Sequence, residues 1–111
     1  VRHPASMAPG ERGDVALEVR NDSPCPWSPM VHLGHRWARE GAPGDPVEAP
    51  ERYLPGGWTE PGATFRAELR VRAPVEPGRW SVRYGLVQEG VAWFGEEGSS
   101  APVEVLVRAA P

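Results

Sequence analysis

Apolar and polar residues alternate one for one in five stretches of this chain, and no stretch of useful length shows helical spacing. Val15, Leu17 and Val19 interleave with Ala16, Glu18 and Arg20. Val31, Leu33, His35 and Trp37 interleave with His32, Gly34 and Arg36. Phe65, Ala67, Leu69 and Val71 interleave with four charged residues. Trp80, Val82, Tyr84 and Leu86 follow the same rule, as do Val103, Val105 and Val107. A period of two puts successive side chains on opposite faces of an extended chain, so each stretch predicts a half-buried antiparallel strand with one wet face.

The punctuation agrees. The 111 residues include 13 Gly and 14 Pro, which leaves little room for helix. Pro9-Gly10, Pro61-Gly62 and Pro77-Gly78 each precede a strand, and Pro followed by Gly is the signature of a type II turn. Residues 39 to 57 read as a long irregular connection with one short edge strand near Arg52–Leu54. Glu89-Gly90 reads as a tight turn before Val91–Phe94. About seven short strands predict an all-β, immunoglobulin-like antiparallel sandwich, with a small barrel as the alternative. The expected organisation is one domain over 1–111. The chain begins at Val1, as expected of a domain cut from a longer protein or of a processed chain.

Size and charge narrow the function. A chain this long buries roughly two thirds of its unfolded surface, so it needs neither metal nor disulfide to fold. Cys25 is the single cysteine. The formal net charge of −3 favours neither nucleic acid nor an anionic membrane, and no apolar run is long enough to insert in a bilayer. All twelve basic residues are Arg, with no Lys and no Ile, a bias that suggests a GC-rich bacterial genome.

No constellation for catalysis is visible. His32 and His35 are three apart, which on a strand sends them to opposite faces. His3 lies in a terminus expected to be flexible. Cys25 stands between two prolines with no basic neighbour to stabilise a thiolate. Ser99-Ser100 carries no motif. The expectation is a non-enzyme with no cofactor and no metal.

Five residues are candidates for ligand contact. Trp58 follows Gly56-Gly57 and precedes a Pro-Gly turn; it either stacks on a sugar or a protein partner, or covers the end of the sheet. Trp93 adjoins Phe94, and only one of the two can face inward. Arg36 and Arg83 have outward parity on strands expected to pair, and His32 shares that face. Together they form either a small cationic patch or an ordinary solvated surface. Trp37 and Trp80 share parity with core residues and are expected inside, and Trp27 is expected to plug one end.

Two segments go beyond pattern. Asn21-Asp22-Ser23-Pro24-Cys25-Pro26-Trp27 ends a strand. Ala73-Pro74-Val75-Glu76-Pro77-Gly78-Arg79-Trp80 continues to Tyr84-Gly85-Leu86, Glu89-Gly90 and Phe94-Gly95. Together they resemble the four-tryptophan immunoglobulin-like domain of autophagy cargo receptors and its bacterial relatives, over roughly residues 8 to 107. Trp27 matches the first tryptophan. Trp80 stands where that family usually has Tyr, and Tyr84 where it usually has Trp. The Leu86–Phe94 segment is similar to the bacterial branch. The resemblance implies an accessory binding or spacer module of a cell-envelope polysaccharide protein. The implied partners are polysaccharide, domains of a parent protein, or a separate partner protein.

Overall fold

The computed structural model describes residues 3–41, 46–89, 92–94 and 103–108. Those residues form eight strands and no helix: β1 (Ser6–Met7), β2 (Arg12–Arg20), β3 (Val31–Arg39), β4 (Val47–Glu48), β5 (Thr64–Arg72), β6 (Gly78–Gln88), β7 (Ala92–Trp93) and β8 (Val103–Val107). The five alternating stretches are β2, β3, β5, β6 and β8. β2 pairs antiparallel with β5 along nine residues, making a two-stranded sheet. The second sheet runs β1-β8-β6-β3-β4, with β7 also on β6. β8 takes the Gly78–Val82 half of one β6 edge, and β7 takes Val87 and Gln88. β3 covers the other edge.

The chain crosses between sheets from β1 to β2, from β2 to β3, from β4 to β5 and from β5 to β6, which is an all-β, immunoglobulin-like sandwich. The inward residues meet in one cluster. Val15, Ala67 and Val71 come from the small sheet. Leu33, Trp37, Val82, Tyr84, Val105 and Val107 come from the large one. Met7 closes it from β1. Burial of such side chains contributes about 1.5–3 kcal/mol each, which is why the period of two dictates the architecture.

Two of the three Pro-Gly pairs make the expected turns. Glu11 N donates to Ala8 O at 3.1 Å and Ala63 N to Glu60 O at 2.9 Å, with Gly10 at φ 71° and Gly62 at φ 82°. Pro77-Gly78 does not. Gly78 already belongs to β6, opposite Val107, with φ 145°. The expected edge strand near Arg52–Leu54 also differs. The edge strand is β4, and at Tyr53 only a single bridge to Leu33 remains. Pro50 and Pro55 flank that bridge and have no N–H to extend a ladder. Val87 and Gln88 pair with Trp93 and Ala92, as a hairpin through Glu89 requires. Gly90, Val91 and Gly95, and Ser99-Ser100, lie outside the described residues. His3 is anchored: its Nε2 lies 2.7 Å from the Tyr84 hydroxyl.

Candidate functional site

At the pole where β2 ends and β3 begins, Asn21 organises the connections. It is fully buried. Its Nδ2 donates to Cys25 O at 2.9 Å and to Thr59 O at 2.8 Å, and its Oδ1 accepts from Ser23 N at 3.0 Å. Its backbone N–H donates to Ala63 O and its carbonyl accepts from Gly62 N. One side chain thus ties the Pro-rich loop to the segment before β5. Trp27 and Thr59 exchange two backbone hydrogen bonds at 2.9 Å, which sets Trp58 beside Trp27. Trp27 packs on the core and meets Phe94 edge to face, ring centroids 6.4 Å apart. Trp58 is 63% exposed. A groove of about 360 Å³ opens here, with Trp27, Trp58, Phe94 and Val31 as apolar walls and Ser23, Ser28 and Gln88 as polar ones.

Trp93 occupies a different surface. It pairs with Val87 and therefore lies on the outer face of the large sheet, half-buried, while Phe94 turns to the core. The Arg36 guanidinium carbon is 4.5 Å from the centroid of its ring and that of Arg52 is 5.1 Å away. Both are within range of cation–π attraction. Gly34 makes this seat: a Cβ there would lie 2.7 Å from Trp93 Cη2 and 3.1 Å from Arg52 Nη1. Arg52 Nε donates to Glu89 Oε1 at 2.9 Å, and Arg52 also pairs with Glu48. His32 Nδ1 approaches Glu89 Oε1 at 3.6 Å. The hydrogen bond from Arg52 holds the Glu89 carboxyl below its usual range. Burial works against the Arg52 charge, but its two carboxylate partners outweigh it and raise its pKa.

His32, Arg36 and Trp93 are therefore brought together, and Arg83 stands directly across from Arg36. Arg36 and Arg83 line a shallow groove of about 300 Å³ with Pro46 and Ser81. Trp58 is on the pole and not part of this face. Sequence reasoning missed Arg52. The one available signal was its spacing from Glu48, which carries little weight outside a helix.

It also missed the cleft at the opposite pole, about 670 Å³, where the ends of β3, β5 and β6 converge. Trp37 and Trp80 form its floor, and Arg12, Arg70 and Arg72 line one wall. Trp37 is buried as expected. Trp80 packs on the core but keeps one side in solvent, and its Nε1 donates to Glu76 O at 2.9 Å.

The interior holds one titratable row. His35 is buried against Tyr84, ring centroids 5.7 Å apart, and burial depresses its pKa to about 4. Burial also pushes the Tyr84 phenol up. Among the described residues no group of three or more His, Cys, Asp or Glu is arranged to hold a metal ion. No family model, curated protein or solved structure matches the chain.

Proposed function

We propose that this chain is a non-catalytic accessory module that recognises carbohydrate, in the setting of a bacterial cell-envelope glycan protein, through the groove at Trp58. The observation that carries this reading is the exposed Trp58 ring beside Trp27 and Phe94. Large aromatic faces stack on the apolar face of a sugar ring, and nearby hydroxyl and amide groups select among its hydroxyls. Ser23, Ser28 and Gln88 supply those groups. The Asn21 hydrogen bonds support the walls, so the groove is formed before a ligand arrives, which lowers the ordering cost of binding.

The test is an array of bacterial envelope glycans, followed by NMR titration with the oligosaccharides that score. Saturable shifts of the Trp58 and Trp27 indole signals are expected, with a loss of roughly tenfold or more in affinity for Trp58→Ala. Absence of any glycan binding by the folded chain would exclude this reading.

A second reading, docking on a parent or partner protein, is favoured by the two-stranded sheet. Ala73 N donates to Glu11 O and Asn21 N to Ala63 O, so the odd-numbered residues of β5 turn their backbone groups toward β2. The even-numbered ones face away. The Tyr53 hydroxyl donates to Arg66 O at 3.1 Å. Beyond it, Glu68 to Arg72 present an edge with no backbone partner among the described residues, the geometry for strand addition.

A further inference from the structure

On the outer face of β2 and β5 three pairs of charged residues stand directly opposite each other, two of unlike charge and one of like charge. Glu18 stands opposite Arg66, and Asp14 opposite Arg70, with Arg70 Nε 3.3 Å from Asp14 Oδ1. At the end of the ladder Arg12 stands opposite Arg72. Because the adjoining Glu11–Ala73 pair is hydrogen-bonded, Arg12 and Arg72 form a non-hydrogen-bonded pair, the kind in which side chains approach most closely. Like charges directly opposite destabilise a sheet. Neither arginine has an ion pair among the described residues.

The like-charged pair lies on the wall of the cleft of about 670 Å³ at that end. Its floor is Trp37 and Trp80, and its rim carries Val47 and Val75, 63% and 70% exposed. The indole Nε1 of Trp37 is buried and donates to no atom of the described residues. Two acidic groups, Glu48 and Glu51, line the far wall, and Glu48 is engaged by Arg52. An anionic group is therefore directed to the arginine wall.

We propose that this cleft is a second binding site, for a carboxylate carried on an apolar body, with Arg12 and Arg72 receiving the carboxylate and Trp80 and Val75 the body. Two guanidinium forks supply several N–H donors in planes that match a carboxylate. The apolar floor and rim, with few polar side chains beyond the charged walls, fit an alkyl or aryl group better than a sugar. The same chemistry is offered by a free hydrophobic acid and by the C-terminus of a polypeptide ending in a bulky apolar residue. The site stands apart from the groove at Trp58. Val31 at that groove and Trp37 here are six residues apart on β3, about 20 Å.

The probes are 3-phenylpropionate, N-acetyl-L-phenylalanine and its neutral amide, titrated into the 111-residue chain and followed by calorimetry and by the indole NMR signals. Both acids are expected to saturate the site and shift the Trp80 signal, with the amide at least roughly tenfold weaker, as the loss of a charged hydrogen-bonding group implies. Tighter binding of the acetylated amino acid assigns the site to a chain terminus, and tighter binding of phenylpropionate assigns it to a free acid. Arg12→Glu is the decisive variant. It converts the like-charged pair into a complementary one, so its melting temperature is expected to rise by roughly 1–4 °C while acid binding falls at least tenfold. Arg72→Gln is expected to lose binding with a smaller gain, because it removes the repulsion without adding an attraction. Trp58→Ala is expected to bind both acids normally. Equal binding of acid and amide, no saturation by either acid, or unchanged binding by folded Arg12→Glu would each overturn the proposal, whatever the outcome at Trp58.

Discussion

His35 is the residue whose chemistry most directly sets the conditions under which this fold survives. Its ring is buried, and Glu51, Arg52 and His3 are the charged groups that influence it. Burial lowers its pKa from 6.5 to about 4, so between those values the unfolded chain binds a proton that the folded chain does not. Stability from neutral His35 is therefore complete above pH 6.5 and is lost as the pH falls towards 4, about 3 kcal/mol in all. Denaturant melts across that range should show the loss, and His35→Phe should flatten it. Asn21 is the second such residue. Its side chain makes several hydrogen bonds with no exposure, and replacing it with Ala leaves the carbonyls of Cys25 and Thr59 short of a donor. Asn21→Ala is expected to cost about 2–3 kcal/mol in urea unfolding and to weaken any ligand of the Trp58 groove.

At the scale of the element, what was legible from sequence was whatever a period of two and a Pro-Gly turn can carry. β2, β3, β5, β6 and β8 were visible because each has one buried face. β4 was not, because both of its residues are exposed and it leaves no alternation to read. Its position follows from β3, which offers an edge, and from Pro50, which stops the ladder. The opposite faces of His32 and His35 were legible, and so was the outward parity of Arg36 and Arg83. The register that sets Arg12 against Arg72 was not, because these strands are joined through the other sheet and no hairpin turn fixes their alignment. The seat of Trp93 depends on a glycine whose neighbours, Trp93 and Arg52, come from two other segments. Gly34→Ala is expected to expel Trp93 or Arg52 from its place, with a cost of about 1–3 kcal/mol and a shift of the Trp93 indole resonance. A variant as stable as the parent with an unmoved resonance would show that the seat is looser than its geometry.

The whole molecule joins its first strand to its last. β1 runs parallel to β8, with Leu106 N donating to Ala5 O at 3.0 Å and Arg108 N to Met7 O at 2.9 Å. Arg108 Nη1 also reaches Ser6 Oγ at 2.8 Å, and Met7 is buried behind them. In a parallel pair, tension applied ahead of β1 and beyond β8 drags the two strands past each other along their length. All of their hydrogen bonds are then loaded together instead of one after another, and Met7 must leave the core at the same moment. Truncation of residues 1–7 is expected to lower the rupture force in single-molecule pulling from the chain ends. An unchanged force would mean that β1 carries no load. A spacer tethered at both ends would thus meet a tug with its interlocked terminal strands, and the sheets bearing the Trp58 groove would be shielded until that lock gave way.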